Sequence, residues 1–146
     1  MNFARVFGAQ PALPVGKLVS VETDIARGLH AFSIVGLPDK AVEEARDRVA
    51  SAIKNSGLDS PKSTNKKIVI SLAPAELKKE GSAFDLPVAL SYLQAVEDIS
   101  FDPEGKLFVG ELGLDGTIRP IRGALSIALL ARAEGLTELY LCRECP

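Results

Sequence analysis

Three sets of residues have the types and spacing that chemistry could use. Cys142 and Cys145 form a CxxC, which is half of a tetrahedral zinc site or a redox pair. The chain holds no second CxxC and no following histidine pair to complete a zinc site, and two cysteines against the C-terminus exclude a disulfide framework. Ser82, in the turn KKEGSAFD, follows Lys78 and Lys79 closely enough to suggest a serine-lysine dyad. A dyad lysine must be desolvated to act as a base, whereas two adjacent lysines beside Glu80 on a turn are expected to stay solvated and charged. Glu76, Glu80 and Asp85 supply carboxylates, but their spacing gathers them round no common site, and Asp85 is better placed to cap the helix that follows it.

The third set is basic. Lys62, Lys66, Lys67, Arg119 and Arg122 are candidates for phosphate contact, although few aromatic residues stand near them for base stacking. With 17 basic and 19 acidic side chains and a net charge of -2, solvated loop and strand-edge charges are the plainer reading. Arg46 and Arg48, in EEARDRV, either pair with glutamates along an exposed helix or pair across a subunit boundary. His30, the only histidine, has no Cys, Asp or Glu at ligand spacing. A phosphate-cradling GxxxxGK[ST] run is absent, and the spacing Gly110, Gly113, Gly116 falls on a hairpin instead of a strand-to-helix turn. The motifs therefore nominate no catalytic, cofactor-binding or metal-binding residue.

The elements that must position these groups follow from the apolar pattern. At 146 residues the chain is one domain's worth, long enough to bury a core without staples. No apolar run approaches the roughly 20 residues needed to cross a bilayer, and the N-terminus has no signal-peptide core, so a soluble cytoplasmic protein is predicted. The first third alternates like half-buried strands, punctuated by Pro11, Pro14 and Gly28 into about three. Val42, Ala45, Val49 and Ile53 then step at helical spacing, in one helix entered at Pro38-Asp39 and stopped by Gly57. The loop LDSPKSTNKK leads to the strand KIVISLAP. A mostly buried helix follows from Asp85, with Leu86, Ala89, Leu90, Leu93 and Val96 on one face. KLFVGELGLDGTIRPI predicts two strands joined at Asp115-Gly116, a tight-turn pair. A third helix over about 123–133 and a strand ELYLC complete one α+β domain over 1–146, a mixed sheet with about three helices on it. The stop directly after that strand reads as a cut within a longer protein.

Three strings carry more than their parts: FSIVGLPDKAVEEARDRV, IVISLAPAELKKEGSAFDLPVAL and FVGELGLDGTIRPIRGAL. In order and spacing they resemble the N-terminal domain of the ComM/YifB-type magnesium-chelatase-like AAA+ ATPases, over nearly the whole chain. The resemblance implies a Lon-protease-like fold, also seen in a ribosomal-protein domain. Active Lon-type domains carry their serine in a PxDGPSAG-like turn, and KKEGSAFD looks like that turn, with Ala83 at the serine position and Ser82 at the proline. The lysine position falls on Leu125, so the resemblance implies a scaffold that lacks both catalytic groups. It further implies an ATPase module elsewhere in the full-length protein, with ATP and magnesium as that module's ligands. A homo-oligomer, a hexamer in relatives that drive branch migration during natural transformation, is implied too. DNA is then a candidate partner, with Lys66, Lys67, Arg119 and Arg122 as its contacts. Two other readings compete: a Lon-like peptidase using Ser82 as an unorthodox nucleophile, and a stand-alone protein-interaction domain.

Overall fold

The structure, a computed structural model, describes residues 2–63 and 65–145, so Thr64 of the polar loop lies outside the described residues. In chain order the elements are β1 (Phe3–Gln10), β2 (Lys17–Arg27), β3 (Ala31–Val35), α1 (Lys40–Glu43), α2 (Ala45–Asn55) and β4 (Lys66–Ala73). They continue as α3 (Asp85–Ala95), β5 (Lys106–Phe108), β6 (Glu111–Leu112), β7 (Ile118–Arg119), α4 (Ala124–Ala133) and β8 (Glu138–Tyr140).

The fold is α+β with a mixed sheet, as the pattern predicts. Four strands lie in the order β1-β2-β4-β3, with β2 antiparallel to both neighbours and β3 parallel to β4. Alternation sends Val6, Val19, Val21, Ile68, Ile70 and Leu72 to one face, where they are fully buried. Against that face α2 lays Val49, Ala52 and Ile53, and α3 lays Val88, Ala89 and Tyr92. Burying each large apolar side chain contributes roughly 1.5–3 kcal/mol, which is what selects this strand register over its one-residue slip. Thr23 and Ser91 are polar residues inside this core, and their hydroxyls meet at 2.6 Å between β2 and α3. A second cluster, including Ala9, Ala83, Leu107, Ile121, Ile127 and Leu130, forms where α4 and the parallel pair β5/β8 close the far end of the molecule.

Three expectations change. The single helix after Pro38 is two pieces, since Asp39 caps α1 and the chain re-enters at Glu44 to start α2. The segment Lys106–Arg119 gives three short strands, because the backbone at Gly110 bonds Ala83 and Leu86 at the entry of α3 instead of continuing a ladder. Hence β5 leaves to pair with β8, and only β6 and β7 form the hairpin round Asp115-Gly116. Asp85 does not cap α3. Phe84 holds that position, and no side chain caps the helix. Among the described residues no helix is long and apolar enough to cross a membrane.

Candidate functional site

The turn Lys78–Ala83 is the place to look for chemistry, and it is fastened from both sides. The Lys79 amide donates to Leu37 O at 3.0 Å, and Lys79 O accepts the Asp39 amide at 2.9 Å. Asp39 then uses both carboxylate oxygens, one taking the Val42 amide at 2.8 Å as the cap of α1 and the other the Gly81 amide at 3.2 Å. Gln10, at the end of β1, accepts the Glu80 amide at 2.7 Å.

Lys79 overturns the expectation that both lysines stay in water. Lys78 is exposed, but Lys79 is fully buried. Its ammonium donates to the carbonyl of Gly36 at 2.7 Å and to that of Pro74. Two backbone carbonyls converge there, and the long lysine stem brings them a donor. Burial pushes the Lys79 ammonium below its ordinary pKa. That is the direction a dyad base needs, but its partners are carbonyls and not a hydroxyl. Among the described residues Ser82 Oγ has no hydrogen-bond partner, so nothing is placed to take its proton.

One hollow opens at this turn and a second adjoins the first. One, of about 550 Å³, is lined by Ser82 and Ala83 together with Asp39, Glu80, Glu111 and Arg122. The other, of about 360 Å³, is apolar and lined by Leu13, Pro14, Leu125 and Leu129, and the two share Pro11 and Arg122. The positions that the resemblance assigns to a nucleophile and its lysine, Ala83 and Leu125, therefore open into adjoining hollows. One offers a buried methyl and the other a 72 % exposed isobutyl group. Neither the Ala83 nor the Leu125 side chain can attack a substrate or abstract a proton. A fluorophosphonate probe is accordingly expected to leave Ser82 unlabelled, with the intact protein and Ser82→Ala giving identical traces. Labelling that disappears in Ser82→Ala would restore the peptidase reading.

Asp85 has a different task from the one its position suggests. Its carboxylate, fully buried, accepts Arg48 Nε at 2.6 Å and a second guanidinium nitrogen at 3.0 Å, a two-point ion pair between α2 and α3. It also accepts the Leu112 amide at 3.1 Å, and Arg48 donates to Ala41 O at 2.8 Å. Arg48 is thus paired within the chain, while Arg46 donates to Phe32 O at 3.2 Å on β3. Burial pushes the Asp85 carboxyl above its usual range, against the opposing pull of Arg48 and the Leu112 amide. The sequence signal for this pair is an aspartate opening an otherwise apolar helix, which needs a buried partner when nothing is there for it to cap.

Residues 21–144 match the family described as subunit ChlI of Mg-chelatase. The chain belongs to this family. Within it, the chain is 47% identical over 118 residues to the YifB protein of Escherichia coli (strain K12), covering 80% of this chain and 23% of that one. It is 40% identical over 136 residues to protein Rv2897c of Mycobacterium tuberculosis (92% and 26%), and 37% identical over 145 residues to the competence protein ComM of Haemophilus influenzae (99% and 28%). These place it with the ComM/YifB-type members. The chain spans about a quarter of the length of these relatives.

On this ChlI-family domain the basic residues do not form one patch. Lys66 and Lys67 open β4, opposite Arg27 and Ala26 at the end of β2. Arg119 lies on β7 opposite Glu111, and Arg122 precedes α4 in the hollow shared with Pro11. Along β2 from Arg27 to Lys17, which pairs with Gln10 at that hollow, the span is about 30 Å at ~3.3 Å per residue. Lys62 is engaged by Asp47. Cys142 and Cys145 are free thiols, and Cys145 Sγ accepts the Ile121 amide at 3.5 Å. Among the described residues no three His, Cys, Asp or Glu side chains gather to hold a metal.

Proposed function

We propose that the chain is the non-catalytic N-terminal accessory domain of a cytoplasmic, magnesium-chelatase-like AAA+ ATPase that works as a homo-oligomer, a hexamer, on DNA. The observation that supports this most is the match of 145 residues to a relative named as a competence protein. A turn that carries Ala83 and an α4 that carries Leu125, where a protease would need serine and lysine, support an accessory role for the fold. ATP and magnesium do not fit this chain's own residues: it has no glycine-rich phosphate loop, and its carboxylates at the turn are committed or scattered. The nucleotide and its metal belong to a module elsewhere in the protein. The domain's part is assembly or handling of the DNA strand, and magnesium insertion into a porphyrin is no part of the proposal.

A full-length reading frame without a GxxxxGK[ST] run would sink the ATPase part. DNA contact is expected to be weak and to fade with salt. Because the basic residues lie at separate places, Lys66→Glu with Lys67→Glu and Arg119→Glu with Arg122→Glu are expected to differ, only one pair lowering affinity, by several-fold. If neither pair changes DNA binding or remodelling by the full-length protein, these side chains are not the contact.

A further inference from the structure

The two ends of the main sheet carry opposite chemistry. At one end Arg27 closes β2, and two residues later Leu29 stands 93 % exposed. Arg27 lies directly opposite Lys66 in the antiparallel register, an arrangement that like charges oppose. Neither side chain has an ion pair among the described residues. Asp24 and Lys67 alternate onto the other face. At the far end, Leu13 (94 % exposed), Leu125 and Leu129 line an apolar groove. It continues into the hollow where Asp39, Glu80 and Glu111 outnumber Arg122. Neither Glu80 nor Glu111 is in an ion pair among the described residues, although Arg119 lies opposite Glu111 on β7 and the Arg48 guanidinium acts on Glu111 electrostatically.

We infer that a second copy of this chain seats the Leu29 tip in the Leu13/Leu125/Leu129 groove, with its Arg27 and Lys66 facing Glu80 and Glu111. Each half supplies what the other lacks: an exposed leucine beside Arg27 and Lys66, and an exposed leucine groove beside a hollow in which carboxylates outnumber Arg122. The halves lie about 30 Å apart along β2, so they cannot meet within one molecule. Because the two patches differ, the contact is head to tail, and its repetition gives a closed ring or an open filament, never a two-fold dimer that uses both patches up. One loop tip in one groove makes a small interface, below about 1,200 Å², so the isolated contact is weak. The inference rests on the self-association proposed above but not on DNA or nucleotide, and its test contains neither, so the two fail separately.

Sedimentation velocity from micromolar to near-millimolar protein tests it. The chain is expected to sediment faster as concentration rises, without reaching a dimer plateau, and less so in high salt. Leu29→Asp and Leu125→Asp alter exposed side chains, and each alone is expected to sediment as a folded monomer with the parent's circular dichroism. Their equimolar mixture is expected to form a one-to-one dimer and nothing larger, because only one intact tip and one intact groove remain. A parent that stays monomeric, variants that associate as the parent does, or a mixture that stays monomeric would each overturn the contact. So would a monomeric parent whose groove takes up an unrelated basic-apolar peptide, which would assign the groove to another partner.

Discussion

Replacing Arg48 with leucine is expected to cost about 3–5 kcal/mol of folding stability near neutral pH, the cost of leaving a buried carboxylate uncompensated. Asp85 is fully enclosed and Arg48 supplies two of its three hydrogen bonds, leaving only the Leu112 amide. Burial already holds the Asp85 carboxyl above its usual range, and loss of Arg48 raises it further. A carboxyl whose pKa is higher in the folded than in the unfolded chain contributes stability below the unfolded value, and this is lost as pH rises through the folded value. The deficit of Arg48→Leu is therefore expected to be smallest in mild acid and to grow toward neutral pH. Urea denaturation at two pH values checks this. Removing both partners, as Arg48→Met with Asp85→Leu, is expected to recover part of the loss, held back by about 1–3 kcal/mol for the orphaned Leu112 amide. A loss under about 1 kcal/mol that does not vary with pH would show that the pair is a surface contact in effect.

The second large effect is expected at Gly36, where the chain leaves β3 and crosses close to β4. A Cβ there would lie 2.1 Å from Leu72 O, a backbone atom held in the β4 ladder, and Gly36 has φ +109, which other residues rarely adopt. Backbone strain of about 1–3 kcal/mol adds to overpacking of about 1–3 kcal/mol. Because Gly36 O is also an acceptor for buried Lys79, any backbone shift that relieves the collision disturbs that bond as well. Gly36→Ala is expected to cost about 2–6 kcal/mol, a large share of the stability of an ordinary domain. Gly57→Ala separates the two causes: Gly57 has φ +86 and nothing within 4 Å of its would-be Cβ, so it carries strain without collision. Thermal unfolding of both variants checks the difference, and equal losses would refute the steric part.

The sheet's apolar faces were legible because alternation and burial are one pattern, as Val19/Val21 and Ile68/Ile70/Leu72 show. Helix entry was legible where a local residue sets it: Pro38-Asp39 does mark the start of α1, although Asp39 caps the helix instead of lying within its first turn. What sequence spacing missed depended on residues that are far apart in the chain. Arg48 finds Asp85 across 37 positions, Lys79 finds Gly36 across 43, and Gly110 is drawn to the entry of α3. The solvated turn lysine and the strand glycine were displaced from their ordinary local roles by a tertiary partner, whereas Arg48 keeps its helical-spacing pair with Glu44 at 3.7 Å and adds Asp85 to it. The vacancy at the turn was legible only through the resemblance, since Ala83 and Leu125 are unremarkable until matched to positions that need serine and lysine. The adjoining hollows that hold them could not be read from spacing, because their walls come from β1's end, α1's start and the approach to α4.

The strand order has a consequence for the birth of the molecule. β2 and β3 are neighbours in the chain, yet β4 lies between them in the sheet. Until β4 is made, both must wait with an unpaired flank. The ribosome needs roughly 2–8 s to travel from the end of β2 to the start of β4 at about 5–20 residues per second. During that interval a nascent chain offers Val19, Val21 and Ile25 on an open strand edge, the kind of surface that recruits chaperones or a neighbouring nascent chain. Slow codons for residues 28–65 would lengthen that exposure, whereas the same codons after residue 73 would find the inner strand β4 already made.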